Sequence, residues 1–249
     1  MEPRFLGLDL AWSEKNPSGL AALDRGGRLL ALCSDRRGDD EIVTWVRRWL
    51  GDRGAIAIDM PTIVRNESGS RSCERALRVD FRAHDAGPYP ANTGLPLFND
   101  GGRAHRLLAD LEKDGVVHDC SVGPSDPRTV AFEVFPHPAM IELFRLERII
   151  AYKKKQRSWE RVLAEWTRYR ALLGSLAEAD PPLAIGPDFD LPATVDKHRY
   201  KRRDDELDAI LCAYVASFVW RHGTASERVR VYGDMTDGHI VVPLSKRPR

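Results

Sequence analysis

The chain lacks most of the features that fix a function class at sight. Its four cysteines, Cys33, Cys73, Cys120 and Cys212, are widely spaced with no CxxC pair. That removes the usual zinc and dithiol arrangements and fits free thiols in a reducing cytoplasm. No apolar run approaches the roughly 18 residues that span a bilayer. The short run in MEPRFLGLDLAWSEK is interrupted by Asp9 and falls far short of a signal segment. The expectation is therefore a cytoplasmic protein with no membrane partner. Excess charge is missing too: 249 residues carry a net charge of +1, so any affinity for nucleic acid has to come from local basic patches. There is no GxxxxGK[ST] loop to cradle phosphates, and there are no repeats or low-complexity tracts.

What is present is an ordinary globular composition, 43% apolar and 30% charged, sufficient to bury a core in a single domain over residues 1–249. RFLGLDLA, SGLAALD and RLLALCS read as three consecutive antiparallel strands, with RGG as a hairpin turn. DDEIVTWVRRWLGDRG has apolar residues at helical spacing, with Asp39 or Asp40 as N-cap and Gly51 or Gly54 as the stop. AIAIDMP is a buried strand closed by proline. Residues 61–128 read as an insertion of loop carrying helices at RSCERALRVDFRA and GRAHRLLADLEKDG. TVAFEVFPHP is another buried strand stopped by proline. AMIELFRLERII is a short helix, and residues 147–195, with the amphipathic SWERVLAEWTRYRALLGSLAEA, form a second elaboration. KRRDDELDAILCAYVASFVWRHG is a long helix, and RVRVYG with HIVVPL a closing hairpin. This order predicts an α/β fold: a mixed five-stranded sheet, three antiparallel strands then βα units, flanked by helices, with a C-terminal hairpin.

Carboxylates stand where these apolar segments disfavour them. Asp9 lies in FLGLDLAW, Asp59 ends AIAIDMP, and Glu133 is inside VAFEVFP. An ionised side chain there has to be paired, hydrogen-bonded or metal-bound. One such acid commonly caps a helix or meets an arginine; three in successive core strands repel one another and call for a cation. In the long helix, at about 100° per residue, Leu207, Leu211, Tyr214, Val215 and Phe218 form one stripe, and Asp208 falls inside it. Asp205, three residues earlier, shares its edge, although Asp204, Asp205 and Glu206 also suit the first turn of a helix. Clustered carboxylate oxygens favour Mg2+ or Mn2+ over zinc. Two such ions about 4 Å apart can activate a water and stabilise the leaving oxygen in phosphodiester cleavage.

In their order, FLGLDLAW, AIDMP, FEVFPHPAM, RRDDELDAILCAYVA and the terminal GHIVVP resemble the RNase H-like superfamily, and in particular an uncharacterised family of predicted RNase H-like nucleases. The segments are spread over nearly the whole chain. The resemblance implies an RNase H-like sheet and a metal-dependent site acting on DNA or RNA. It assigns Asp9, Asp59 and Asp208 as metal ligands for Mg2+ or Mn2+. Asp205 is matched to the resolvase-like branch, and Glu133 to the family's fifth-strand acid. Non-catalytic nucleic-acid binding on the same fold is one alternative. An actin-like ATPase or kinase is another, disfavoured by the length of the chain and by LDLAWSEKNPSG, which lacks a Gly/Thr-rich phosphate hairpin.

Basic clusters supply candidate nucleic-acid contacts. The spacing of Arg71, Arg75, Arg78 and Arg82 puts them on one helix face, either solvated or facing a phosphate backbone. KHRYKRR, which includes Lys201 and Arg202, precedes the acidic helix and is the better placed to guide a backbone. YKKKQR, starting at Tyr152, is a further basic run.

Overall fold

In the computed structural model, the residues described are 2–35, 38–153, 157–187, 189, 197 and 200–245, without the side chain of residue 201. The strands are β1 (Arg4–Asp9), β2 (Ser18–Leu23), β3 (Leu29–Asp35), β4 (Gly54–Asp59), β5 (Val116–His118), β6 (Thr129–Glu133), β7 (Val229–Asp234) and β8 (Gly238–Pro243). The helices are α1 (Asp39–Trp49), α2 (Ser72–Phe81), α3 (Arg103–Leu111), α4 (Pro136–Phe144), α5 (Trp159–Ser175) and α6 (Tyr200–His222).

The main sheet runs β3-β2-β1-β4-β6-β5, with β7 and β8 forming a separate hairpin. β2 is antiparallel to β1 and β3, whereas β1, β4, β6 and β5 are mutually parallel. The α/β fold with a mixed sheet, flanking helices and a terminal hairpin is as expected, but the sheet has six strands rather than five. The extra one, β5, has three residues, too few for alternation to register in a sequence.

The strands alternate cleanly between two cores. On one face Leu6, Leu8, Ile56 and Ile58 meet Ile42 and Val46 of α1 and Leu107, Leu108 and Leu111 of α3. On the other, Phe5, Ala21, Ala55, Ala57 and Phe132 meet α6 and, beyond it, α4, α5 and the hairpin. Each large aliphatic side chain fully withdrawn in this way contributes about 1.5–3 kcal/mol.

Two helix ends differ from expectation for simple reasons. α1 is capped by Gly38, with Asp39 and Asp40 inside its first turn, where their charge suits the helix dipole. α4 begins at Pro136, so the proline that stops β6 also opens the helix, as its fixed φ allows.

α6 departs furthest from its sequence reading. Every residue from Leu207 to Trp220 is buried, so the apolar stripe is only one side of a helix enclosed all round. It lies almost on the sheet backbone. A Cβ on Gly7 would stand 2.1 Å from the Ala209 carbonyl oxygen, and one on Gly19 would stand 2.0 Å from that of Asp205. These two strand glycines set the depth at which α6 delivers its acids.

Candidate functional site

Asp9 and Asp59 are the last residues of adjacent parallel strands and face one another in register, which sets their backbones about 4.8 Å apart. Residues in register point to the same side of a sheet. Gly7, two residues before Asp9, touches α6, so both carboxylates leave on the α6 face. A cavity of about 560 Å3 opens there, with Asp9, Asp59, Asp205 and Lys153 on its walls. Asp205 comes from the start of α6, the segment seated against Gly19. Burial, and then the charge of Asp9, raise the pKa of Asp59 well above the carboxylate range, while Lys153 pulls it down.

Asp208 is fully buried and is not among the residues lining the cavity. The Tyr152 hydroxyl lies 2.6 and 2.7 Å from its two oxygens, and Tyr169 donates to Oδ1 at 3.2 Å. Lys153 Nζ lies 2.9 Å from Oδ2. Burial, with Asp208 adding to it, raises both tyrosine pKa values, so they stay protonated donors. Burial opposes the charge on Lys153, but Asp208 and Asp9 more than offset it and raise its pKa. Asp9 and Asp208 do act on one cation, but it is a lysine ammonium. Among the described residues, no group of three or more His, Cys, Asp or Glu side chains is arranged to hold a metal ion.

Glu133 is set apart from the aspartates by its partners. It stands opposite Ile58, not Asp59, and lines the same cavity beside Arg71 and Glu74. There Arg71 grips it with two nitrogens at 2.8 and 2.5 Å, and the Thr62 N–H donates at 2.9 Å. Arg71 also holds Glu74 at 2.8 Å. Burial opposes the Arg71 charge, but Glu133 overcomes this and raises its pKa. The Glu133 N–H donates to His239 Nε2 at 3.0 Å. The Glu133 carboxylate thus belongs to a closed ionic group at the cavity rim.

With this geometry in hand, comparison with known families matches residues 7–235 to the one described as protein of unknown function, DUF429. The chain belongs to the DUF429 family. No curated protein and no solved structure matches it.

The basic residues divide by burial. Arg71 is 2% exposed and spent on two acids, so it is no part of a solvent-facing stripe. Arg78 donates to the Pro88 carbonyl at 2.7 Å and braces the Gly87–Tyr89 wall of the cavity. Arg75 is exposed and donates to the Ser70 carbonyl. Arg202 pairs with Asp35 at the surface. Asp35 lies opposite Ser18, at the sheet end that holds Asp9. The side chain of Lys201 lies outside the described residues, as do residues 154–156 of YKKKQR and residues 198 and 199 of KHRYKRR.

Sequence reasoning missed Lys153 and the two tyrosines. Lys153 stands first in a row of three lysines, with nothing local to mark it as the inward one. It also missed the cavity mouth, where Trp12 and Tyr89 remain 41% and 66% exposed. A tryptophan three residues after a strand-end acid was the available signal.

Proposed function

We propose that the protein is a metal-dependent nuclease of RNase H-like type, hydrolysing phosphodiester bonds of DNA or RNA. The observation that carries this reading is the in-register pair Asp9–Asp59, ending two core strands at a cavity of about 560 Å3. Burial and the neighbouring Asp9 charge disfavour the ionised form of Asp59, which a hard cation would relieve. Mg2+ is commonly held by one or two carboxylates, with water and substrate phosphate oxygens completing its shell, and two strand-end aspartates fit that need. When bound, the ion would polarise the phosphoryl group and lower the pKa of an attacking water.

The chain's own residues would do the rest. Asp9 and Asp59 fix the ion's position from rigid strand ends. Asp205, on the adjoining wall, would orient the water and accept its proton. The expectation of two ions sharing Asp208 is replaced by one seat at Asp9–Asp59, because the Asp208 oxygens are already engaged.

The test is cleavage of single-stranded, duplex, hybrid and branched oligonucleotides with Mg2+ or Mn2+. Asp9→Asn and Asp59→Asn are each expected to lower the rate at least 100-fold. Cleavage that survives both substitutions would end this reading.

A further inference from the structure

The unusual member of the site is Lys153. Two tyrosine hydroxyls donate to buried Asp208 without neutralising it, and its counter-charge is Lys153, whose Nζ sits 2.9 Å from Asp208 Oδ2. Its side chain retains 33% exposure and lines the cavity beside Asp9, Asp59 and Asp205. An ammonium has three N–H donors, so more than one remains beyond the bond to Asp208, on a side chain that borders open space.

Its position is tightly fixed. The neighbouring Tyr152 is fully buried, binds Asp208 through its hydroxyl, and accepts a hydrogen bond from the Tyr200 hydroxyl at its carbonyl. Trp159 packs edge-on against Tyr200 with ring centroids 5.3 Å apart. The ammonium also lies 5.5 Å from the Tyr152 ring centroid, within cation–π range.

We infer that Lys153 is a built-in cation of the site: it stands beside the strand-end acids in place of a second metal ion and offers its remaining donors to a non-bridging oxygen of a bound phosphate. Asp208, Tyr152 and Tyr169 are its positioning residues. The phosphate half of this inference rests on the nuclease reading; the cation half does not. A lysine is suited to the task as a compact point charge, and it needs no loading from solution.

The experiment counts Mn2+ by electron paramagnetic resonance, without substrate, in wild type, Lys153→Met, Lys153→Arg and the double variant Lys153→Met/Asp208→Asn. The double variant removes both charges, so it keeps the test open if Lys153→Met alone does not fold. Wild type and Lys153→Arg are expected to bind one ion. Lys153→Met and the double variant are expected to bind a second ion or to bind the first at least tenfold more tightly. In Ca2+, oligonucleotide affinity is expected to fall at least tenfold in Lys153→Met, or in the double variant if that alone folds, and to be held by Lys153→Arg.

An unchanged Mn2+ count and affinity in every variant lacking Lys153 would overturn the cation role, as would two ions in wild type. Unchanged oligonucleotide affinity would overturn the phosphate contact. If wild type cuts nothing but Mn2+ binding responds as stated, the nuclease reading fails and the built-in cation stands. If wild type cuts and Mn2+ binding ignores Lys153, the reverse holds.

Discussion

Two buried acidic groups border the same cavity, and they are solved differently. In the first, Glu133 and Glu74 share Arg71, with the N–H groups of Thr62 and Ala91 completing the shell. In the second, the Lys153 ammonium is shared electrostatically by Asp208, Asp9 and Asp59, with Tyr152 and Tyr169 also on Asp208. A guanidinium with five donors can saturate two carboxylates; an ammonium spread over three cannot. Burial raises the pKa of both Glu133 and Asp59, but Glu133 has a bidentate arginine fixed on it, whereas Asp59 shares a single ammonium with its neighbours. The geometry of the counter-charge, rather than the presence of acids, separates the two groups.

The most severe way to break this contrast is to open the closed group. Arg71→Met would leave two carboxylates buried without a counter-charge and is expected to cost about 4 kcal/mol, read as a lowered urea midpoint at unchanged m-value. Adding Glu133→Gln to that variant should restore part of the loss. A full-strength Arg71→Met protein would mean that Glu133 finds another partner.

Acid should strain the closed group next. His239 Nε2 accepts from the Glu133 N–H, its Nδ1 has no partner among the described residues, and the His118 ring lies 5.5 Å away. Burial lowers their pKa values to about 3 for His239 and about 4 for His118. With folded values below the ordinary 6.5, the unfolded chain binds more protons as pH falls through that value. Stability is then lost with acidification, by about 3 kcal/mol between pH 7 and pH 5 after allowing for the partial exposure of His118. Equilibrium unfolding across that range checks it, and His239→Gln should flatten the slope.

Much of this arrangement could be read from the chain, and what could not be read has a common cause. Strand-length apolar runs and turn residues revealed the mixed sheet, and Asp9, Asp59 and Asp208 drew notice as charges in apolar surroundings. The fate of each acid, however, depended on long-range geometry. Glu133 looked equivalent to Asp59, and what sets it apart, its arginine, comes from 62 positions away. Asp208 was a true anomaly, but its partners, Tyr152 and Tyr169, lie 56 and 39 positions away. The close seat of α6 was written in Gly7 and Gly19, which in a strand read only as weak residues.

The subtlest test of the contrast makes the same chemical change in both groups and looks for opposite signs. Glu133→Gln removes the charge that Arg71 binds and should destabilise. Asp59→Asn removes a charge that the metal-free fold tolerates poorly and should stabilise. The pH dependence identifies the cause. The folded pKa of Asp59 is raised above its ordinary 3.8, so its contribution to stability is fully present below that value and is lost as pH rises through the folded one. Asp59→Asn escapes that loss. In EDTA its gain should be largest at pH 8 and fade as the pH falls toward 4. Thermal melts at the two pH values decide it. A gain independent of pH would assign the effect to packing, and a loss at pH 8 would mean that Asp59 is as well neutralised as Glu133. Mg2+ should then reverse the ranking, stabilising wild type and leaving Asp59→Asn unmoved, if the aspartate group is where the ion sits.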